Sequence, residues 1–362
     1  MNKENKKKLY PLKFESGVYE KEWGREVWHI ADMGSEDSVV VGGWLDGNAI
    51  SDVMETYMER LVGDNVFKYF GQQFPLLVKE VNLHGDSPVM LHPDDVTSYE
   101  RYDSLGKTEL WYVTSAAADA KLYIGLKEDL TAAEFFEKCS AGTIKASMNE
   151  ISAKVGQCFL IAPGTLHAAS GKLALTAVME ASDVDYIVSG ASAMDSETRF
   201  THLSESIDLV DLKKSEPADL AASDEMFVTL AERPEFVITK IRLTDPLKVS
   251  VSEFESFIEY VCVKGAASVQ CSGIAETIKY ELKASETILI PAETDDFILA
   301  PESEDTVILE LTVRIREAAD DYINPGTEPF LEGEDYEGVE NLADDEEEDG
   351  RNAASPLGFF RK

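Results

Sequence analysis

The 362-residue chain carries 69 acidic against 33 basic side chains, a formal net charge of −36, with 44% hydrophobic and 28% charged residues. Such a field repels nucleic acid and anionic lipid, so neither is an expected partner, and an anionic substrate would need a locally positive pocket. No run approaches the roughly 20 apolar residues of a membrane span, and the basic start MNKENKKKLYPLKF is followed by no apolar signal-peptide core.

In chain order, Asp52-Val-Met-Glu55 has the form of a capping box, and Val53, Met54, Tyr57, Met58 and Leu61 follow at helical spacing. The pattern predicts a helix over about 52–62. Short strands rich in Val, Ile, Leu and Tyr come next: PLLVKEVN, ELWYVTSA, AKLYIGL, GQCFLIAP and LALTAVMEA. Thr131-Ala-Ala-Glu134 is a second capping box, opening a helix through Phe135, Phe136 and Cys139. Many short strands with little helix between them predict a mainly β sandwich or barrel. A polar stretch from Ser206 to Asp224 reads as a linker. Beyond it, MFVTLAERPEFVITKIRL, FIEYVCVKGAASVQC, ETILIPAETDDFILAP and TVILELTVRI read as a second all-β unit. The expected organisation is therefore a domain over 1–205 with helical insertions, a linker over 206–224, a second β domain over 225–322 and a tail over 323–362. Residues 331–350 hold acids and no bases, so the tail is expected to be disordered and available to a protein partner. The four cysteines (Cys139, Cys158, Cys262, Cys271) form no close pair and read as buried thiols of a cytoplasmic protein.

Among five histidines, two stand in unusual company. His92 ends an apolar strand just before a Pro-Asp turn, and His167 follows the Pro163-Gly164 turn that closes another strand. Between them, Gly106-Lys-Thr-Glu109-Leu-Trp-Tyr112 puts a carboxylate at the head of an aromatic strand. Two imidazoles and a carboxylate on neighbouring strands are a common ligand set for a catalytic zinc, with the fourth position open. Taken one at a time, a histidine at a strand end is more often a hydrogen-bonded core or surface residue, and Glu109 a solvated one.

The order FPLLVKEVN, HPDD, GKTELWYV and APGTLHA resembles the class I mannose-6-phosphate isomerases of the shorter bacterial type. Trp23-Gly24, Glu26-Val-Trp28 and Glu180-Ala-Ser-Asp183 are similar to further elements of that family, and the similarity runs over about 20–315. It implies a double-stranded β-helix (cupin or jelly-roll) sandwich with a second, metal-free cupin around Ser285-Glu-Thr-Ile-Leu-Ile-Pro-Ala292. It also implies zinc, one ion per chain, on His92, Glu109 and His167. The implied reaction is the interconversion of mannose 6-phosphate and fructose 6-phosphate.

The sequence departs from the family at three places. Met90 replaces a glutamine ligand, Pro88 (beside Ser87) a phosphate-binding serine, and Ile187 a catalytic arginine. The positive groups left near the motifs are Lys79, Lys107 and Lys172. Lys107 and Lys79 are the candidates for catalysis, and Ser87, Lys79, Lys107 and Lys172 for binding a sugar or sugar phosphate. Three readings stay open: an isomerase of reduced activity, an isomerase-like enzyme for a different sugar, phosphorylated or not, and a non-catalytic metal- or sugar-binding module.

Overall fold

Alternating apolar and polar residues put one face of each strand into a core, and strands buried on both faces lose the alternation. The computed structural model describes residues 7–314 except 35, 191, 193 and 273–276. The first half contributes β1 (Lys13–Phe14), β2 (Gly17–Lys21), β3 (Gly24–Ile30), β4 (Val40–Val41), β5 (Leu76–Leu83), β6 (Val89–Leu91) and β7 (Glu109–Ala116). It continues with β8 (Lys121–Leu126), β9 (Met148–Ser152), β10 (Cys158–Ile161), β11 (His167–Ser170), β12 (Leu173–Glu180) and β13 (Tyr186–Ser189). The second half holds β14 (Phe227–Glu232), β15 (Val237–Leu243), β16 (Leu247–Val249), β17 (Ile258–Lys264), β18 (Ala266–Ser272), β19 (Thr277–Lys283), β20 (Glu286–Ile290), β21 (Phe297–Pro301) and β22 (Thr306–Thr312).

In the first half, a six-stranded sheet ordered β10-β7-β12-β5-β3-β2 faces a five-stranded sheet ordered β13-β6-β11-β8-β9. Their shared core holds Leu77, Trp111, Val113, Leu122, Ile124, Leu175 and Met179. The second half repeats the plan with sheets ordered β14-β15-β22-β17-β20 and β16-β21-β18-β19. The mainly β, two-layered architecture is thus the one the sequence predicts. The other face of the six-stranded sheet is also buried: Leu76, Val78, Leu110 and Val178 pack with Leu230, Ile238, Leu289 and Leu311 of the second half. Burial on both faces explains the unbroken apolar runs of β7 and β12.

The helices are α1 (Ile50–Tyr57), α2 (Glu59–Val62), α3 (Asp64–Phe70), α4 (Asp95–Tyr102), α5 (Ala132–Ser140) and α6 (Ser196–Ser206). The capping box at Thr131 is present as predicted, with the Glu134 amide donating to Thr131 Oγ1 at 3.2 Å and the Thr131 amide to Glu134 Oε2 at 2.8 Å. The box at Asp52 is not: Ala49 takes the N-cap position, and Asp52 lies inside the first turn. The helix also breaks at Met58, whose φ is 47°, before restarting as α2. Helical spacing of apolar residues reports which face is buried, and that face continues across the break. Three helices, α3, α4 and α6, were not foreseen. In α4 the Pro-Asp turn is itself the cap, with Asp94 Oδ1 accepting from the Thr97 amide at 2.8 Å. In α6 the polar sequence buries only Leu203 and Ser206, too little for a periodic signal.

The segment 206–224 lies against the first sandwich, where the Leu220 amide donates to the Cys158 carbonyl and Asp219 accepts from the Cys158 amide. The cysteines are free; three are buried and Cys271 is half-buried. Among the described residues no helix is long and apolar enough to cross a membrane. The acidic tail expected over 323–362 lies outside the described residues.

Candidate metal centre

The cavity lies between the two sheets of the first sandwich and encloses about 150 Å³. Strand register explains what faces it. Ile187 pairs with Met90 and Met90 with His167, so the three share one rung of the five-stranded sheet. Across the cavity, Glu109 pairs with Met179, and the next rung runs Trp111, Ala177, Lys79. All of them except Ala177 line the space.

His92, Glu109 and His167 converge, with one ligand atom from each lying within 4.8 Å of the others. All three are at least 95% buried. Glycine makes the approach of the flanking turns possible. A Cβ on Gly106 would lie 2.4 Å from the Asp95 amide nitrogen, and Gly164 has φ +78° and lies against the Leu209 carbonyl.

The histidine rings are held from behind. His167 Nδ1 is 2.9 Å from the Thr165 carbonyl, which makes it the donor, and leaves Nε2 as a buried acceptor with no hydrogen-bond partner among the described residues. Burial, then the His92 charge, pushes His167 down to about 4, so its imidazole is neutral at pH 7. His92 Nε2 lies 2.9 Å from Glu109 Oε2, while its Nδ1 is 2.9 Å from Asp185 Oδ1 without hydrogen-bond alignment. For Glu109, burial opposes ionisation, but the His92 hydrogen bond and the surrounding charges prevail and hold it at about 2. A neutral imidazole held by the Thr165 carbonyl, a carboxylate and a second imidazole beside Asp185 suit a divalent cation.

Behind Glu109, two carboxylates grip its neighbour. Thr108 donates its amide to Glu180 Oε2 at 2.7 Å and its hydroxyl to Glu235 Oε1 at 2.9 Å. Glu235 belongs to the second half, between β14 and β15. Both acids are buried, and burial with the nearby Asp95 and Glu235 charges raises Glu180 well above the ordinary carboxylate range.

The remaining expected residues are divided. Lys107, 1% exposed, lines the cavity and is 2.6 Å from Asp185 Oδ1. Lys79 lines it too, 3.6 Å from Glu26 Oε2 and 5.3 Å from the centre of the Trp28 ring. Pro88, Met90 and Ile187, the three departures, are all on the wall. Ser87 is on the wall, but its Oγ accepts from the Ala169 amide and donates to the Pro88 carbonyl. Lys172 does not line the cavity. It is exposed in the turn between β11 and β12, where its carbonyl meets Ala117, about 25 Å along the strand from Glu109 by strand rise. Proximity in sequence to His167 misplaces it, because β11 carries the chain away from the site.

Asp185 and Glu26 are the residues that sequence reasoning missed. Asp185 is two positions before Ile187, so the period of a strand puts both on the cavity side, while Tyr186 and Val188 enter a separate core. That alternation was readable.

No protein-family model matches the chain. Sequence comparison finds the mannose-6-phosphate isomerase of Streptococcus mutans, 25% identical over 303 residues, covering 78% of this chain and 92% of the relative. A mannose-6-phosphate isomerase of Bacillus subtilis is 25% identical over 290 residues, 77% of this chain and 87% of that protein. Among solved structures, the mannose 6-phosphate isomerase of Bacillus subtilis superposes with a TM-score of 0.71 at 19% identity, covering 84% of this chain and 99% of the other. The apo form of the mannose 6-phosphate isomerase from Salmonella typhimurium does so with a TM-score of 0.66 at 12% identity, covering 84% of this chain and 99% of the other. At such identities the structures show a common cupin-like fold, to which the curated relatives add similarity across most of the chain. Fold and sequence similarity both point to the mannose-6-phosphate isomerases as the proteins this chain resembles over most of its length.

Proposed function

We propose that the protein is a metal-dependent aldose–ketose isomerase for a hexose of the mannose–fructose pair, holding one zinc ion per chain on His92, Glu109 and His167. The observation that carries this reading is the buried, unpartnered Nε2 of His167 facing Glu109 and His92. A divalent ion there supplies a Lewis acid for the sugar's carbonyl oxygen and for charge developing during the reaction.

The chain's own residues do the rest. Thr165 fixes the His167 tautomer, and Asp185 backs His92. Lys107 and Lys79 present ammonium groups to the sugar oxygens. Burial works against the Lys79 charge, but Glu26, Asp185 and Glu109 outweigh it and raise its pKa, so it is a donor and not a base at neutral pH. Isomerisation breaks the C2–H bond of the aldose and forms a C–H bond at C1, while the C2 hydroxyl proton passes to the C1 oxygen. Of the carboxylates on the cavity wall Asp185 has the most exposed side chain, 32%, and in this reading it carries the proton between the carbons. Ser87 and Lys172 take no part in this scheme.

Met90, Pro88 and Ile187 offer no polar donor. Losing one preorganised donor costs about 10²–10³ in rate, so turnover of mannose 6-phosphate is expected to fall well below the ~10 s⁻¹ of a typical enzyme. The four free thiols, three of them buried, support a cytoplasmic setting.

Elemental analysis and a coupled isomerase assay test the reading. Purified protein should carry close to one zinc per chain, and His167→Ala should lose it. Absence of bound divalent metal after zinc is supplied would refute the site. Bound zinc without turnover of any hexose would reduce the protein to a metal-holding binding module.

A further inference from the structure

We infer that the pocket is built for a neutral sugar and not for a sugar phosphate, an inference that rests on the isomerase reading and narrows its substrate class. The argument starts from charge. Among the described residues the cavity wall carries Lys21, Lys79 and Lys107 against Glu26, Glu109 and Asp185, and no arginine, with Glu109 and the two histidines committed to the proposed ion. Each deep ammonium already has its own carboxylate: Lys107 Nζ lies 2.6 Å from Asp185, and Lys79 Nζ 3.6 Å from Glu26. The side chains of these lysines are 1% and 10% exposed. Lys21, at the rim and 39% exposed, lies 3.9 Å from the same Glu26.

A phosphate dianion entering this space must give up its hydration, and needs unpaired donors in return. To obtain Lys107 it must displace Asp185, whose side chain is 32% exposed, or share the ammonium with it, and two negative charges then crowd one buried ammonium. Like charges at that distance repel, so the exchange is unfavourable. Ser87 cannot help without releasing the Ala169 amide, and Pro88, Met90 and Ile187 provide no donor. The net charge of −36 adds a long-range penalty for any dianion.

A neutral sugar meets none of these costs. Each hydroxyl both donates and accepts, and the Lys107–Asp185 and Lys79–Glu26 pairs place donors beside acceptors along the wall. Trp23 and Trp111 supply flat, partly apolar surface for the C–H faces of a ring. The ion pairs can stay intact while the sugar binds.

The test uses the full chain loaded with zinc, titrated with mannose, mannose 6-phosphate and inorganic phosphate. Tryptophan fluorescence reports binding through Trp23 and Trp111, and turnover of both sugars is measured in parallel. Mannose should bind tighter than its 6-phosphate, by about tenfold, and inorganic phosphate should not displace it. Glu26→Gln, which releases Lys79 from its carboxylate, should narrow the gap by improving affinity for the 6-phosphate. Equal or tighter binding of mannose 6-phosphate by the unmodified protein, or faster turnover of it, overturns the inference and leaves the isomerase reading standing. If neither sugar binds nor turns over, both fall together.

Discussion

Glu259 is a carboxyl group in a place that favours hydrocarbon. It is fully buried on β17, and its register partners Leu289 and Leu311 are fully buried as well. Neither carboxyl oxygen has a hydrogen-bond partner among the described residues. Burial alone raises it from the ordinary value of 4.5 to about 8, so the folded protein holds this group neutral at pH 7. Above pH 4.5 the unfolded chain releases the proton, while the folded protein keeps it until about pH 8. The folded state binds more protons across that window, so stability falls as pH rises through it and levels off above it. At about 1.4 kcal/mol for each pH unit, the full effect is about 5 kcal/mol. Urea unfolding at intervals from pH 5 to pH 9 reads this directly. Glu259→Gln lacks the titration, so its stability relative to the unmodified protein should climb by about 4 kcal/mol between pH 5 and pH 9, the rest of the effect lying below pH 5. With a urea dependence of about 3 kcal/mol per molar, that is a relative midpoint shift of about 1.3 M. Glu259→Leu should follow the same slope and add about 1–3 kcal/mol at every pH, because it also removes the unsatisfied polar atoms. A difference between variant and unmodified protein that stays flat with pH would refute the reasoning.

Two further outcomes follow from contacts described above. Thr108→Val removes the hydroxyl between Glu235 and the Glu109 strand, and should weaken zinc binding by about tenfold, measured by competition with a chelating dye. A lower thermal midpoint with unchanged zinc affinity would show that Thr108 holds the halves together but does not position Glu109. Thr131→Ala removes the cap of α5 and should cost about 1 kcal/mol in urea unfolding without changing zinc content; no loss would mean that packing of Phe135 and Cys139 alone holds the helix.

The strands and the ligand cluster were legible for different reasons. Strands such as β5, β7 and β12 announce themselves because burial on one or both faces demands β-branched and apolar residues. The His92, Glu109 and His167 cluster was visible through motif order, since spacing alone could not bring residues of separate strands together. Partners that depend on tertiary approach stayed hidden. Glu235 reaches Thr108 across 127 positions, and no local pattern marks a carboxylate that will meet a hydroxyl in the other half. Lys172 failed in the opposite direction, near the motif in sequence and remote from it in the fold.

The N-terminal segment has a consequence for the order in which the protein can be made. Leu12 exchanges backbone hydrogen bonds with Leu289, and the Leu9 amide reaches Glu293 across 284 positions. During synthesis, at about 5–20 residues a second, Leu9 and Leu12 emerge many seconds before their partners exist. Contacts of such sequence separation are also slow to close. The opening stretch therefore stays exposed on the ribosome until the last quarter of the chain arrives, a natural window for a chaperone.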